Sequence, residues 1–96
     1  MTITELEMAT RDQVNARRNY LMGLWAGQKL GFKDGRLTDY VHEVMESDYE
    51  EPGPQDVVRK VRGDLTATGI DVSEADVLLQ LQKTETSVRS ELLSTD

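Results

Sequence analysis

Apolar residues fall at helical spacing in four separate stretches of this chain, and the breaks between them carry residues that end helices. The first stretch opens at Thr4-Glu5-Leu6-Glu7, a capping box in which the Thr4 hydroxyl takes the Glu7 amide proton while Glu7 reaches back. It runs to Leu30, roughly 40 Å at the helical rise of about 1.5 Å per residue, which is long for so small a protein. Val14, Leu21, Leu24, Trp25 and Gln28 share one face, flanked by Tyr20 and Met22, so the later half is the packed half.

Asp34-Gly35 is a turn signal between Phe32 and Arg36, and a second helix follows it. Its apolar face holds Leu37, Tyr40, Val41, Val44, Met45 and Tyr49, with acids opposite. Glu51-Pro52-Gly53-Pro54 stops it, and Pro54 suits the first position of a third helix. There Val57, Val58, Val61 and Leu65 form the stripe, Arg59, Lys60 and Arg62 turn away, and Gly69 ends the helix. Ser73 caps a fourth helix whose first turn carries Glu74 and Asp76, where the helix dipole favours acids. Val77, Leu78, Leu81, Val88 and Leu92 give its buried side, and residues 94 to 96 fray. Four amphipathic helices with short connections predict an all-α fold, an antiparallel four-helix bundle with a long first helix.

At 96 residues the chain is a single domain, 1 to 96, with room for one modest core. Its 30% charged residues and 38% hydrophobic residues fit a small, highly charged helical protein. The net charge of -7 is concentrated between residues 34 and 56, where eight acids face Arg36 alone. Nucleic acid, which needs clustered Lys and Arg, is therefore excluded as a partner, and a positively charged protein surface suits the chain better. With no cysteine there is no disulfide framework, thiolate metal site or Cys nucleophile, which fits a reducing compartment. Neither a signal peptide nor an apolar run of transmembrane length is present, so the expected location is cytoplasmic, without direct membrane insertion.

Gly23, Gly27 and Gly31 recur every four residues inside the first helical stretch. Each interior glycine costs about 1 kcal/mol against alanine, so the stripe needs a reason. Either another helix approaches closely there, with Gly31 as the terminating cap, or a ligand or partner backbone lies on the stripe.

Catalytic chemistry finds little support. His42 is the sole histidine, set outward by apolar positions 40, 41, 44 and 45, and a bundle metal site needs ligands converging from several helices. No phosphate-cradling glycine loop or nucleophile elbow is present. The expectation is no enzyme, no cofactor and no metal. The basic clusters Arg17-Arg18 and Arg59-Lys60 with Arg62 have two readings: they neutralise the acidic second helix across bundle grooves, or they contact an anionic ligand or a partner's acidic surface.

ARRNYLMGLWAGQKLG from Ala16 to Gly31, Tyr40 with Glu43, Val44 and Met45, and DYEEPGPQDVVRKVRGDL from Asp48 to Leu65 resemble the zeta subunit of the alphaproteobacterial F-type ATP synthase, a family also catalogued as a domain of unknown function. The likeness covers about residues 13 to 93, with both blocks in the same order and spacing. Zeta proteins are four-helix bundles. The resemblance implies inhibition of ATP hydrolysis by insertion of the N-terminal segment into a catalytic interface between the alpha and beta subunits, where it blocks rotation in the hydrolytic direction.

Inhibitory members carry a longer segment before the ARRN block, whereas Met1 to Asn15 precede it here, so the insertion element is shortened. On this expectation residues 3 to 15 carry the contact through Glu5, Leu6, Met8, Arg11, Asp12 and Val14, residues 1 to 12 form a mobile arm, and the protein sits peripherally at the inner membrane through the synthase. The alternative is a non-inhibitory zeta paralogue whose bundle binds a small anionic ligand such as a nucleotide, or another regulatory protein, with Arg17, Arg18 and Trp25 as ligand contacts. A third reading is an interaction protein using the acidic second helix, Asp39 to Glu51.

Overall fold

A computed structural model describes residues 2–48 and 53–93, with the side chains of residues 3–9 and 93 excepted. Four helices make up the fold: α1 (Ile3–Lys29), α2 (Asp34–Glu46), α3 (Gln55–Ala67) and α4 (Glu74–Leu93). α1 packs against all three others, while α2 and α4 make no close approach among the described residues and stand diagonally opposed. The expected all-α fold and long first helix are what is observed. The side chains of the Thr4–Glu7 capping box, Tyr49, Glu51-Pro52 and the fraying of residues 94 to 96 lie outside what the structure describes, while the backbone of α1 is already helical at Ile3, one residue before the expected start.

Helix ends follow the sequence signals closely. α1 and α3 stop by the same device, a glycine at positive φ (Gly31 at 83°, Gly69 at 87°) that lets the chain fold back on its last carbonyls. The Phe32 amide donates to the Gly27 carbonyl and Gly31 to Gln28, both at 3.0 Å, and Ile70 and Gly69 repeat the pattern on Leu65 and Thr66. Phe32 and Ile70 then pack on the core, so each turn is stapled by an apolar side chain. At the start of α4, Ser73 Oγ accepts the Asp76 amide while Asp76 accepts the Ser73 amide, each at 3.0 Å. These bonds favour the ionised carboxyl and hold Asp76 below its ordinary pKa.

Two boundaries differ from expectation. Asp34-Gly35 is the first turn of α2 and not a loop, with Asp34 at φ 51°, a conformation that Asp tolerates better than most residues; the reversal falls on 30–33. Pro54 is the cap residue of α3, one position earlier than the first helical one.

The core is built from Met22 and Ala26 of α1, Tyr40 and Val44 of α2, Val57, Val58, Val61 and Leu65 of α3, and Val77 and Leu81 of α4. The expected faces of α2, α3 and most of α4 agree, but that of α1 is rotated. Its buried stripe is Val14, Arg18, Met22 and Ala26, with Asn19, Gly23 and Gly27 beside it, whereas Leu21, Leu24 and Trp25 are half-buried and Gln28 is exposed. Apolar periodicity misreads this helix because its inward positions include an arginine, an asparagine, an alanine and two glycines. Lys60 also departs from expectation: its ammonium lies 3.0 Å from Asp64 and 5.5 Å from the Tyr40 ring centre, so it is folded against the bundle. Leu92 stays 37% exposed.

Close helix approach accounts for two of the three spaced glycines. A methyl group on Gly23 would stand 2.9 Å from the Val41 Cα, and one on Gly27 would stand 3.3 Å from the Tyr40 ring after colliding with the end of Leu37. Gly63, exposed on α3, has nothing within 4 Å. Gly23→Ala is therefore expected to destabilise the fold by about 1–3 kcal/mol through overpacking against backbone, although alanine is the better helix former. Gly63→Ala should stabilise it by roughly 0.5–1 kcal/mol. Urea unfolding of both variants checks this, and two shifts of the same sign would contradict the tight crossing.

Candidate functional site

Arg18 is 4% exposed, the deepest cation in the protein among the described residues. Burying a guanidinium is tolerable only where its donors are met, and here three elements meet them. Nε donates to Asn19 Oδ1 at 3.0 Å, one terminal nitrogen reaches Glu85 of α4 at 3.2 Å, and the other reaches Asp48, just beyond α2, at 3.5 Å. Asn19 Nδ2 also donates to Asp48, at 2.8 Å. One forked cation thus joins α1, the end of α2 and α4 through charge-assisted bonds.

Two cavities flank this junction. One of about 370 Å³ is lined by Asp12, Asn15, Asn19, Met45 and Asp48; the other, about 300 Å³, lies on the α4 side with Arg11, Arg18, Gln82, Glu85 and Arg89. Arg11 and Asp12, adjacent in sequence, therefore face different cavities, and Asn15 lines both.

Farther along the bundle, Tyr40 donates its hydroxyl to Asp64 at 2.9 Å, with Lys60 between Asp64 and Glu43. Burial, then the neighbouring Asp64 carboxylate, pushes the Tyr40 hydroxyl well above its ordinary pKa, so it remains a neutral donor. Arg36 stacks 4.2 Å from the Phe32 ring centre and reaches Glu43 at 3.2 Å. These groups satisfy one another and tie α2 to α3.

The residues expected to bind a partner or ligand are distributed unevenly. Arg11 and Asp12 are exposed, whereas Val14 is buried at 1% exposure and belongs to the packing between α1 and α4. The side chains of Glu5, Leu6 and Met8 lie outside the described residues. Arg17 is on the surface, 5.5 Å from the Tyr20 ring centre and 3.9 Å from Glu91, while its neighbour Arg18 points inward. Trp25 is half-buried with Lys29 over its ring at 5.1 Å, and seven residues of helix, about 10 Å, separate it from Arg18. The structure joins Arg18 to Arg11 but brings neither to Trp25. His42 is exposed, and no group of three potential metal-ligating side chains comes together among the described residues.

Sequence reasoning missed Asn19, Asp48 and Glu85 as the partners of Arg18. A signal existed: Val14, Arg18, Met22 and Ala26 lie four residues apart, and that spacing puts the arginine on an inward row.

A family model for ATPase inhibitor subunit zeta matches residues 5–91. The chain belongs to this family. No curated protein matches it closely enough to count. The match takes in α2 and α3 whole and all but the outer two residues of α1 and α4, including the buried Arg18 and both cavities, and the family is that of an inhibitory subunit, not an enzyme.

Replacing Arg18 by Met should cost about 1–3 kcal/mol, since Asp48 and Glu85 lose their shared cation but keep partial contact with water at 18% and 31% exposure. Arg18→Lys should recover only part of this, because an ammonium lacks the planar fork. Urea midpoints at unchanged slope measure the loss, and equal stability of all three proteins would contradict a structural role for the junction.

Proposed function

We propose that this zeta protein binds the catalytic head of the F-type ATP synthase and restrains ATP hydrolysis through the N-terminal half of α1. The observation that carries the reading is one of register. α1 and α4 run side by side with Arg18 opposite Glu85, Arg17 opposite Glu91, and Thr10 beside Leu92. Among the described residues α4 reaches Leu93, while α1 continues as helix back to Ile3. The first two turns of α1 therefore extend beyond the last described turn of its neighbour, which offers a helical arm to a partner while the rest of the helix stays in the bundle.

Inhibition of this kind needs no chemistry from zeta, only a shape that obstructs. No helix among the described residues is long and apolar enough to cross a membrane, so attachment would run through the synthase head at the cytoplasmic face. The alternative, a small anionic ligand held by Arg17, Arg18 and Trp25, has less behind it because those three side chains occupy different surroundings. The acidic face of α2 is in part neutralised within the chain, by Arg36 and Lys60 on Glu43 and by Arg18 on Asp48.

The test is steady-state ATP hydrolysis by the purified synthase head. The full chain should lower turnover, and a chain lacking residues 1–9, which keeps Val14 and Arg18 and so the bundle, should not. Undiminished turnover with the full chain in excess would sink the reading.

A further inference from the structure

We propose that the C-terminal turns of α4 join the N-terminal half of α1 in one docking surface, shaped for an acidic segment of the partner protein that carries an aliphatic side chain between its carboxylates. The proposal rests on the reading above and adds to it which part of the bundle binds and what chemistry it meets.

Beyond the level of Arg18, Thr10 and Val14 of α1 face Arg89 and Leu92 of α4 across an apolar cavity of about 80 Å³. Such a space is unfavourable for water, which needs several polar partners, and suits one small aliphatic side chain. Leu92, 37% exposed, lies at its rim, so the cavity is reachable from outside.

Arg89 is shared by this cavity and the neighbouring one of about 300 Å³, making the two adjacent. The larger is lined by Arg11, Arg18 and Arg89 against a single carboxylate, Glu85. Arg18 is already met by Glu85 at 3.2 Å and Asp48 at 3.5 Å, Glu85 also lies 3.9 Å from Arg89, and Arg11 makes no salt bridge among the described residues, so the exposed Arg11 and Arg89 are the cations left for a partner. Gly53 and Pro54, at the N-terminal end of α3, complete the wall and set the positive end of a helix dipole beside it. In a chain of net charge -7, the described side chains here, Arg11, Arg18 and Arg89 against Glu85 and Asp48, leave one positive charge in excess.

A small anion would pair with Arg11 and Arg89 and leave the apolar cavity unused. An aliphatic segment without acids would do the reverse. A peptide segment with both uses both, and the surface continues directly from the arm through Thr10 and Arg11.

The test is binding of the full chain to the purified synthase head, followed by biolayer interferometry at two salt concentrations, alongside the hydrolysis assay. Three variants are compared with the parent: the double variant Arg11→Glu/Arg89→Glu, Leu92→Asp, and deletion of residues 1–9. Arg11, Arg89 and Leu92 are exposed, and unchanged helical circular dichroism and thermal midpoints of the two substituted proteins confirm an intact bundle. The charge variant and Leu92→Asp should each weaken binding by about tenfold or more, the charge variant with a flattened salt dependence.

Deletion of residues 1–9 should remove inhibition while leaving measurable binding. Binding by both point variants within about twofold of the parent overturns the surface while leaving the inhibitory reading standing. Weakening by the charge variant alone also overturns it, since that is what a purely electrostatic anion contact gives. Absence of binding by the parent overturns the inhibitory reading and this surface with it.

Discussion

α1 has 27 residues, whereas α2 and α3 have 13 each and α4 has 20. A helix of 13 residues is about 20 Å long, half the length of α1, so α2 and α3 can bury only the later half of it. That mismatch sets the rest of the architecture. Along Asn19 to Lys29 the protein is a four-helix bundle with a buried apolar interior of Met22, Ala26, Tyr40, Val44 and the valines of α3. Nearer the N-terminus, Val14 and Val88 are the buried apolar residues among those described, and α4 is the wall. The same helix thus serves as an interior wall and as the element that leaves the bundle.

Where the two regimes meet, the interior changes from apolar to ionic. Arg18 and Asn19 lie at that level, and Asp48 and Glu85 close around them. A buried ion pair is weak evidence for net stability, because desolvation offsets much of the attraction. Its geometry still fixes relative position: one guanidinium reaches two helices, and sliding α1 by a turn against α4 would break it. The tight crossing at Gly23 and Gly27 holds α1 against α2 in the same way, through steric fit. The charged junction sets how far α1 projects past α4, and the glycine crossing sets which face it turns inward.

Much of this was legible in the sequence. The helices of α2, α3 and α4 carry apolar stripes interrupted by little else, and Gly31, Gly69 and Ser73 mark the ends of α1 and α3 and the start of α4 because φ > 0 and side-chain capping are demands that few residues meet. α1 resisted the same treatment. Its inner row includes Arg18 and Gly23, so a search for apolar spacing settles on Leu21 and Trp25, which border the core. Burial of Arg18 depends on Asp48 and Glu85, distant in sequence, and no local pattern announces that pairing. Family membership was carried by the blocks at 16 to 31 and 48 to 65, which include Arg18, Asn19 and Asp48 along with the glycines.

In the proposed inhibition the N-terminal half of α1, not the acidic face of α2, meets the catalytic head. A photoreactive amino acid placed at Gln13 on α1 or at Asp39 on α2, both exposed, tests it directly once the protein is mixed with the synthase head and irradiated. Crosslinks from position 13 to the alpha or beta subunit, with none from position 39, are the expected result. Crosslinks from position 39 with none from position 13 would contradict it.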